Sequence, residues 1–145
     1  MIYLLEDIII KNQSPSFINF IKDQLIKLYS QLSDCTHLSN EDFLEIVRLN
    51  KIYVYINEKF QIYGVITLLF EKKIIHNGGL VCHIEDLVVD KKYRKQNIGR
   101  FLVNHAINIA KQDCYKIILN CNDKVKEFYN KNGFEEKNVQ MAIYF

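Results

Sequence analysis

The stretch from Glu71 to Arg100, EKKIIHNGGLVCHIEDLVVDKKYRKQNIGR, constrains the fold most, because it sets a basic turn, an apolar strand and a polar loop ahead of an amphipathic segment. Leu80–Asp90 is nearly continuous in apolar residues, interrupted by His83, Glu85 and Asp86. Such a run reads as a strand with little solvent on either face. Ile98, Phe101, Leu102, Ile109 and Ala110 then line one face of a long helix. A carboxylate pair thus lies one strand-length from a nest of backbone N–H groups at a helix N-terminus, which suits a phosphate-bearing cofactor delivered to a charged small substrate.

The flanking segments complete an α/β (α+β) plan. Ile2–Ile10 is apolar and β-branched enough for a first strand, with Glu6 and Asp7 inside it. Ser14-Pro15 supplies an N-cap and an N1 proline, and Phe17, Ile18, Ile21, Leu25, Leu28 and Leu32 recur at helical spacing. Ser33–Leu38 is a loop; Ser39 with Asp42 approximates a capping box for a second helix reaching about Asn50. Ile52–Ile56 and Gln61–Phe70, separated by Asn57-Glu58-Lys59, read as a β-hairpin. Lys116–Cys121 is a short buried strand, Asp123–Asn132 a helix ended by Gly133, and Phe134–Tyr144 a last strand. The resulting order, β-α-α-β-β-β-α-β-α-β, predicts a mixed central sheet with helices on both faces. At 145 residues the chain fits one domain, residues 1–145.

Charge narrows the partners. The net charge of +2, from 19 basic and 17 acidic residues, gives no overall field to recruit nucleic acid or an anionic membrane. Cys35, Cys82, Cys114 and Cys121 show no C-x-x-C spacing and read as reduced thiols, with no metal site expected. There is no charged-then-apolar leader and no membrane-length apolar run, so a cytoplasmic location is expected. The loop Arg94-Lys95-Gln96-Asn97-Ile98-Gly99 is neither G-x-G-x-x-G nor G-x-x-x-x-G-K-[ST], which leaves dinucleotide and P-loop chemistry without support.

Three further constellations carry chemistry. Strict alternation would send Glu85 and Asp86 to opposite faces, yet both interrupt an apolar run; a bulge that turns both into a cleft would let them hold a hydroxylated, cationic amine. Tyr129, on the helix after the Lys116–Cys121 strand, offers a phenol able to donate a hydrogen bond or a proton. Lys73-Ile74-Ile75-His76 together with Ser33 offers cations and donors for an anionic group.

The string His83-Ile84-Glu85-Asp86-Leu87-Val88-Val89, the loop from Arg94 to Gly99, and Phe128-Tyr129 followed by Gly133-Phe134 resemble the GNAT acetyltransferases, and within them the glucosamine-6-phosphate N-acetyltransferases. The match is dense from about Lys72 to Phe134. The resemblance implies acetyl transfer from acetyl-CoA to the 2-amino group of glucosamine 6-phosphate, by direct attack in a ternary complex on the way to UDP-N-acetylglucosamine. It also implies a homodimer with sites built from both chains and the last strand near the interface. Glu85 and Asp86 would contact the sugar, and Ser33, Lys73 and His76 its phosphate. Leu87, Val88 and Val89 would bond the pantetheine arm through their backbone, with an N–H of Leu87 or Val88 polarising the thioester carbonyl. Arg94, Lys95, Gln96, Asn97, Ile98, Gly99 and Arg100 would hold the pyrophosphate, and Tyr129 would serve the thiolate. Candidates for taking the amine proton are Glu85, the Asn120 carbonyl acting through water, or bulk solvent. The chain departs from the family pattern at four positions: Asn97 for a glycine, Asn120 for an acid, Val125 for an asparagine, and Tyr144 for an arginine near the end. The rival readings are a GNAT acting on a polyamine, an aminoglycoside or a protein N-terminus, and a CoA-binding module without catalysis.

Overall fold

The computed structural model describes residues 1–145. In chain order its elements are β1 (Ile2–Leu4), α1 (Leu5–Lys11), α2 (Pro15–Tyr29), α3 (Asn40–Leu49), β2 (Lys51–Ile56), β3 (Ile62–Lys72), α4 (Ile75–Gly78), β4 (Leu80–Val89), α5 (Ile98–Asp113), β5 (Cys114–Leu119) and α6 (Asp123–Lys131). The five strands form one sheet in the order β1-β2-β3-β4-β5. The first four pair antiparallel and β5 joins β4 in parallel through the α5 crossover.

Alternation along the strands divides the core in two. Ile52, Val54, Ile56, Ile62, Val65 and Val88 face α1, α2 and α3, where they meet Leu5, Ile8, Ile21, Leu25, Leu28, Phe43 and Val47. Ile66, Leu68, Cys82 and Ile84 face the other way, onto Ile98, Leu102, Val103, Ala106 and Ala110 of α5. Each large side chain so buried is worth about 1.5–3 kcal/mol against exposure, which fixes strand register on both faces. Gly64 sets how closely α5 approaches: a Cβ there would stand 3.1 Å from side-chain carbons of both Ile98 and Leu102 and 3.2 Å from the Val88 carbonyl oxygen.

Most local expectations hold for reasons visible in the hydrogen bonds. The Ser14 hydroxyl accepts from the Phe17 N–H at 3.4 Å ahead of Pro15. The Ser39 hydroxyl accepts from the Asp42 N–H at 3.0 Å and donates to the Asp42 carboxylate at 2.7 Å. Gly133, at φ +89°, ends α6 with the Phe134 N–H reaching back to the Tyr129 carbonyl at 3.1 Å.

Three elements differ from the sequence expectation. The strand expected as buried over Lys116–Cys121 is β5, Cys114–Leu119, and none of its residues is buried, because it is the edge of the sheet and pairs only with β4. The first strand stops at Leu4 instead of Ile10, because Leu5, Ile8 and Ile9 share one buried helical face while Glu6 and Asp7 occupy the first turn, where the helix dipole favours acids. The last strand does not form within the chain: residues 135–145 have no regular structure, and Val139, Met141 and Ile143 are 89%, 91% and 81% exposed. A strand needs an edge to bond, and these residues have taken none.

Candidate active site

Strand β4 builds the site because its pairing changes along its length. Against β3 the register runs from Lys72↔Leu80 to Thr67↔Glu85, then resumes at Val65↔Val88, so Asp86 and Leu87 together oppose the single residue Ile66. Asp86 takes φ +49°, a left-handed conformation costing a non-glycine residue on the order of 1–3 kcal/mol. This bulge defeats the alternation: Glu85 and Asp86, adjacent in sequence, line one cavity of about 550 Å³ under α2 and α3. Ser33 lines it too. Neither Glu85 nor Asp86 belongs to any of the chain's six ion pairs.

On its other edge β4 loses its neighbour. The parallel ladder to β5 ends at Ile84↔Leu119, so from Glu85 onward the β5-facing edge has no strand partner and the two strands part. Leu87, Val88 and Val89 lie in this fork. The Val89 carbonyl is already taken, accepting from Arg94 Nε at 3.2 Å, while the Arg94 terminal nitrogen donates to Gln31 at 3.3 Å. Arg94 is therefore a clamp between β4 and the end of α2 as well as a cation beside the loop. Lys95 and Asn97 have φ of +65° and +62°, and Asn97 precedes α5 without a side-chain cap on the first helical N–H groups. Asparagine adopts this conformation more readily than other non-glycine residues, which explains how it stands where the family pattern has glycine. Lys95, Gln96 and Arg100 are exposed around it and Ile98 is buried beneath. Alternating backbone hands, free N–H groups and the positive end of a helix dipole make this loop fit for a pyrophosphate.

Tyr129 lies on the α5 side, with its ring against Phe128 at 5.1 Å and Phe134 at 5.9 Å, in the cluster that also holds Leu87 and Val89. Burial, and then the nearby Cys121, push its phenol up to about 12. It therefore keeps its proton at neutral pH. Asn120 is exposed just past the end of β5. The fork between β4 and β5 and the cavity under α2 and α3 thus approach one another at the Asp86 bulge, an arrangement that can bring a thioester to an amine.

Lys73 and His76 are not brought to this cavity. Lys73 pairs with Glu71, whose other oxygen bonds His83 Nε2 at 2.9 Å, and the hydrogen bond from Lys73, then that from His83, holds the Glu71 carboxyl below its ordinary range. His76 stands in α4 at φ +55° with its ring 4.2 Å from that of Tyr115. Along the backbone, Leu80 at the foot of this turn lies five residues, roughly 16 Å, from Glu85, while the bonds through Glu71 to His83 draw the Lys73 ammonium back along the strand. Other lining residues escaped the sequence reading: Lys22, Tyr29, Asp34, Cys35, Asn50 and Thr67. Thr67 carried a signal, being the one hydroxyl inside the apolar run Val65–Phe70. Tyr29 carried none, since an aromatic at a helix end reads as packing.

A valine at Gly99 tests the loop. The Cβ of any residue there would meet Phe128 at 3.4 Å and Val89 at 3.6 Å, so alanine fits and the branches of valine intrude on the groove. Gly99→Val is expected to fold and to bind acetyl-CoA roughly ten- to a hundred-fold more weakly, the worth of a charged hydrogen bond or two. Calorimetry showing unchanged affinity in the folded variant would remove this loop from the cofactor site.

Comparison with known proteins fits this geometry. The acetyltransferase (GNAT) family model matches residues 18–134. The chain belongs to the GNAT family. It is 39% identical over 129 residues to glucosamine 6-phosphate N-acetyltransferase 1 of Dictyostelium discoideum, covering 86% of this chain and 74% of that one. It is 32% identical over 131 residues to the glucosamine 6-phosphate N-acetyltransferase of Candida albicans, covering 85% and 88%. The crystal structure of the Arabidopsis thaliana glucosamine-6-phosphate N-acetyltransferase superposes with a TM-score of 0.83 at 31% identity, over 100% of this chain and 97% of that one. As a GNAT enzyme the chain is an acetyltransferase using acetyl-CoA, and the mixed sheet with helices on both faces is the fold of that structure. No helix is long and apolar enough to cross a membrane.

Proposed function

We propose that the chain acetylates the 2-amino group of D-glucosamine 6-phosphate, giving N-acetyl-D-glucosamine 6-phosphate and CoA for UDP-N-acetylglucosamine synthesis in the cytoplasm. The observation that carries this reading is the bulge at Asp86, which turns two carboxylates free of ion pairs into one cavity beside a forked sheet. Amino-sugar specificity draws further support from the two relatives and the plant structure, each named for that reaction. Acetyl-CoA supplies the activated acyl group, and the rest falls to the chain's residues.

Glu85 and Asp86 accept from the amine and hydroxyls of the sugar, with Ser33 at the cavity wall. An N–H of Leu87 or Val88 serves a carbonyl oxygen laid along the free edge of β4. The loop from Arg94 to Arg100 holds the pyrophosphate. Tyr129 donates to the leaving sulfur, and the Asn120 carbonyl faces the amine. The phosphate of the sugar falls to Lys22, the one cation lining the cavity, and to Lys73 and His76 in a site built between two copies, since neither of those two lines the cavity within a chain. The activity test is release of CoA thiol with glucosamine 6-phosphate, glucosamine, a polyamine, an aminoglycoside and a peptide N-terminus. Turnover confined to another amine sinks this assignment and leaves a GNAT of different specificity.

Homodimerisation belongs to the same reading. Val139, Met141, Ile143 and Phe145 recur at every second residue and are all exposed, as one face of a strand would be before it finds its edge. Burying them in a partner contributes on the order of 1.5–3 kcal/mol apiece. Deleting residues 136–145 is expected to turn a dimer in sedimentation into a monomer. A full-length chain that sediments as a monomer at assay concentration refutes this.

A further inference from the structure

Two hydroxyls meet at the head of the acceptor cavity. Thr67 is the one buried polar residue of the core, 7% exposed, and it sits directly across the strand pair from Glu85. Residues so opposed share a face of the sheet, with Cβ atoms roughly 4.5–5.5 Å apart. The Tyr29 hydroxyl, from the last turn of α2, stands 3.2 Å from the Thr67 hydroxyl. Both line the cavity together with Glu85 and Asp86.

Counting protons shows what the pair lacks. Each hydroxyl carries one proton, and the bond between them uses one. The second proton has no hydrogen-bond acceptor among the protein's own groups, and the neighbouring carboxylates can accept but cannot donate when ionised. The phenol is held neutral, pushed up to about 12 mainly by burial, with the charge of Asp86 acting in the same direction against the opposing hydrogen bond from Thr67. A neutral donor and acceptor beside two carboxyl groups matches a sugar hydroxyl, which can donate to a carboxyl oxygen and accept from the phenol at once.

We propose that Tyr29, oriented by Thr67, contacts a ring hydroxyl of the amino sugar and helps set acceptor specificity. The inference rests on the acceptor reading given above and adds a residue to it. Thr67 acts through Tyr29 and is a positioning residue; Tyr29 touches the substrate.

The test is kinetic. Tyr29→Phe is expected to raise KM for glucosamine 6-phosphate roughly ten-fold, the worth of one such hydrogen bond, with KM for acetyl-CoA unchanged. Thr67→Val is expected to do the same in smaller measure and Thr67→Ser to restore the wild-type value. The deciding measurement compares glucosamine 6-phosphate with its 3-deoxy and 4-deoxy analogues in wild type and Tyr29→Phe. One deoxy penalty should be large in wild type and vanish in the variant, because the contact is then already gone. If both penalties survive intact in a folded Tyr29→Phe enzyme, the contact is overturned while the amino-sugar reading stands. If the wild type fails to acetylate glucosamine 6-phosphate at all, both fall.

Discussion

Replacing Tyr129 with phenylalanine is expected to lower kcat by roughly ten- to a thousand-fold with little change in KM for either substrate. The size follows from what is lost. The hydroxyl bonds no other group in the folded chain, so its removal leaves the ring contacts with Phe128 and Phe134 in place. A donor that acts mainly as sulfur takes up charge is missed in the transition state and hardly in the ground state. Because burial and Cys121 raise the phenol to about 12, it stays protonated below that pH. The wild-type kcat should accordingly show no alkaline decline from Tyr129 across ordinary assay pH. Wild-type turnover in the phenylalanine variant, measured where chemistry limits the rate, would reduce Tyr129 to a packing residue.

Glucosamine without its phosphate is expected to fall behind glucosamine 6-phosphate by several powers of ten in kcat/KM, on the order of several kcal/mol. A site that has gathered cations for a phosphate leaves them unpaired when the phosphate is missing. Two variants locate those cations. Lys22 lines the cavity, where its Nζ now donates to Asn40 at 2.7 Å, whereas Lys73 lies beyond the strand and pairs with Glu71. Lys73→Ala should therefore narrow the gap in the dimer, by harming the phosphorylated substrate selectively, and Lys22→Met should narrow it within one chain's pocket. The arginine expected near the chain end is Tyr144, which removes one candidate cation and lowers the discrimination accordingly. Equal turnover of the two sugars would return the chain to a GNAT of unknown amine.

Legibility followed the range of the physics involved. The caps at Ser14 and Ser39 and the stop at Gly133 were readable because each uses atoms within a few residues. Glu85 and Asp86 were readable as an anomaly: two acids in an apolar run demand a reason, and a bulge supplies it. Periodicity misled at Ile2–Ile10, where β-branched content favoured a strand and a buried i, i+3, i+4 face favoured a helix from Leu5 onward. It misled again after Phe134, where an alternating apolar segment lacks an edge to bond in its own chain.

The sequence by itself determined the order of the strands and the longer helices from Ser14 to Gly133, the placing of helices on both faces of the sheet and the identity of the acid pair, because these depend on local backbone preference and on hydrophobic period. Only the tertiary structure decided that Tyr29 and Thr67 meet beside Glu85, that Arg94 clamps Val89, and that Lys73 and His76 fall outside the cavity that holds the carboxylates. Those facts turn on which strand residue faces which, and a register is fixed by the burial of whole faces at once and cannot be read from any single residue.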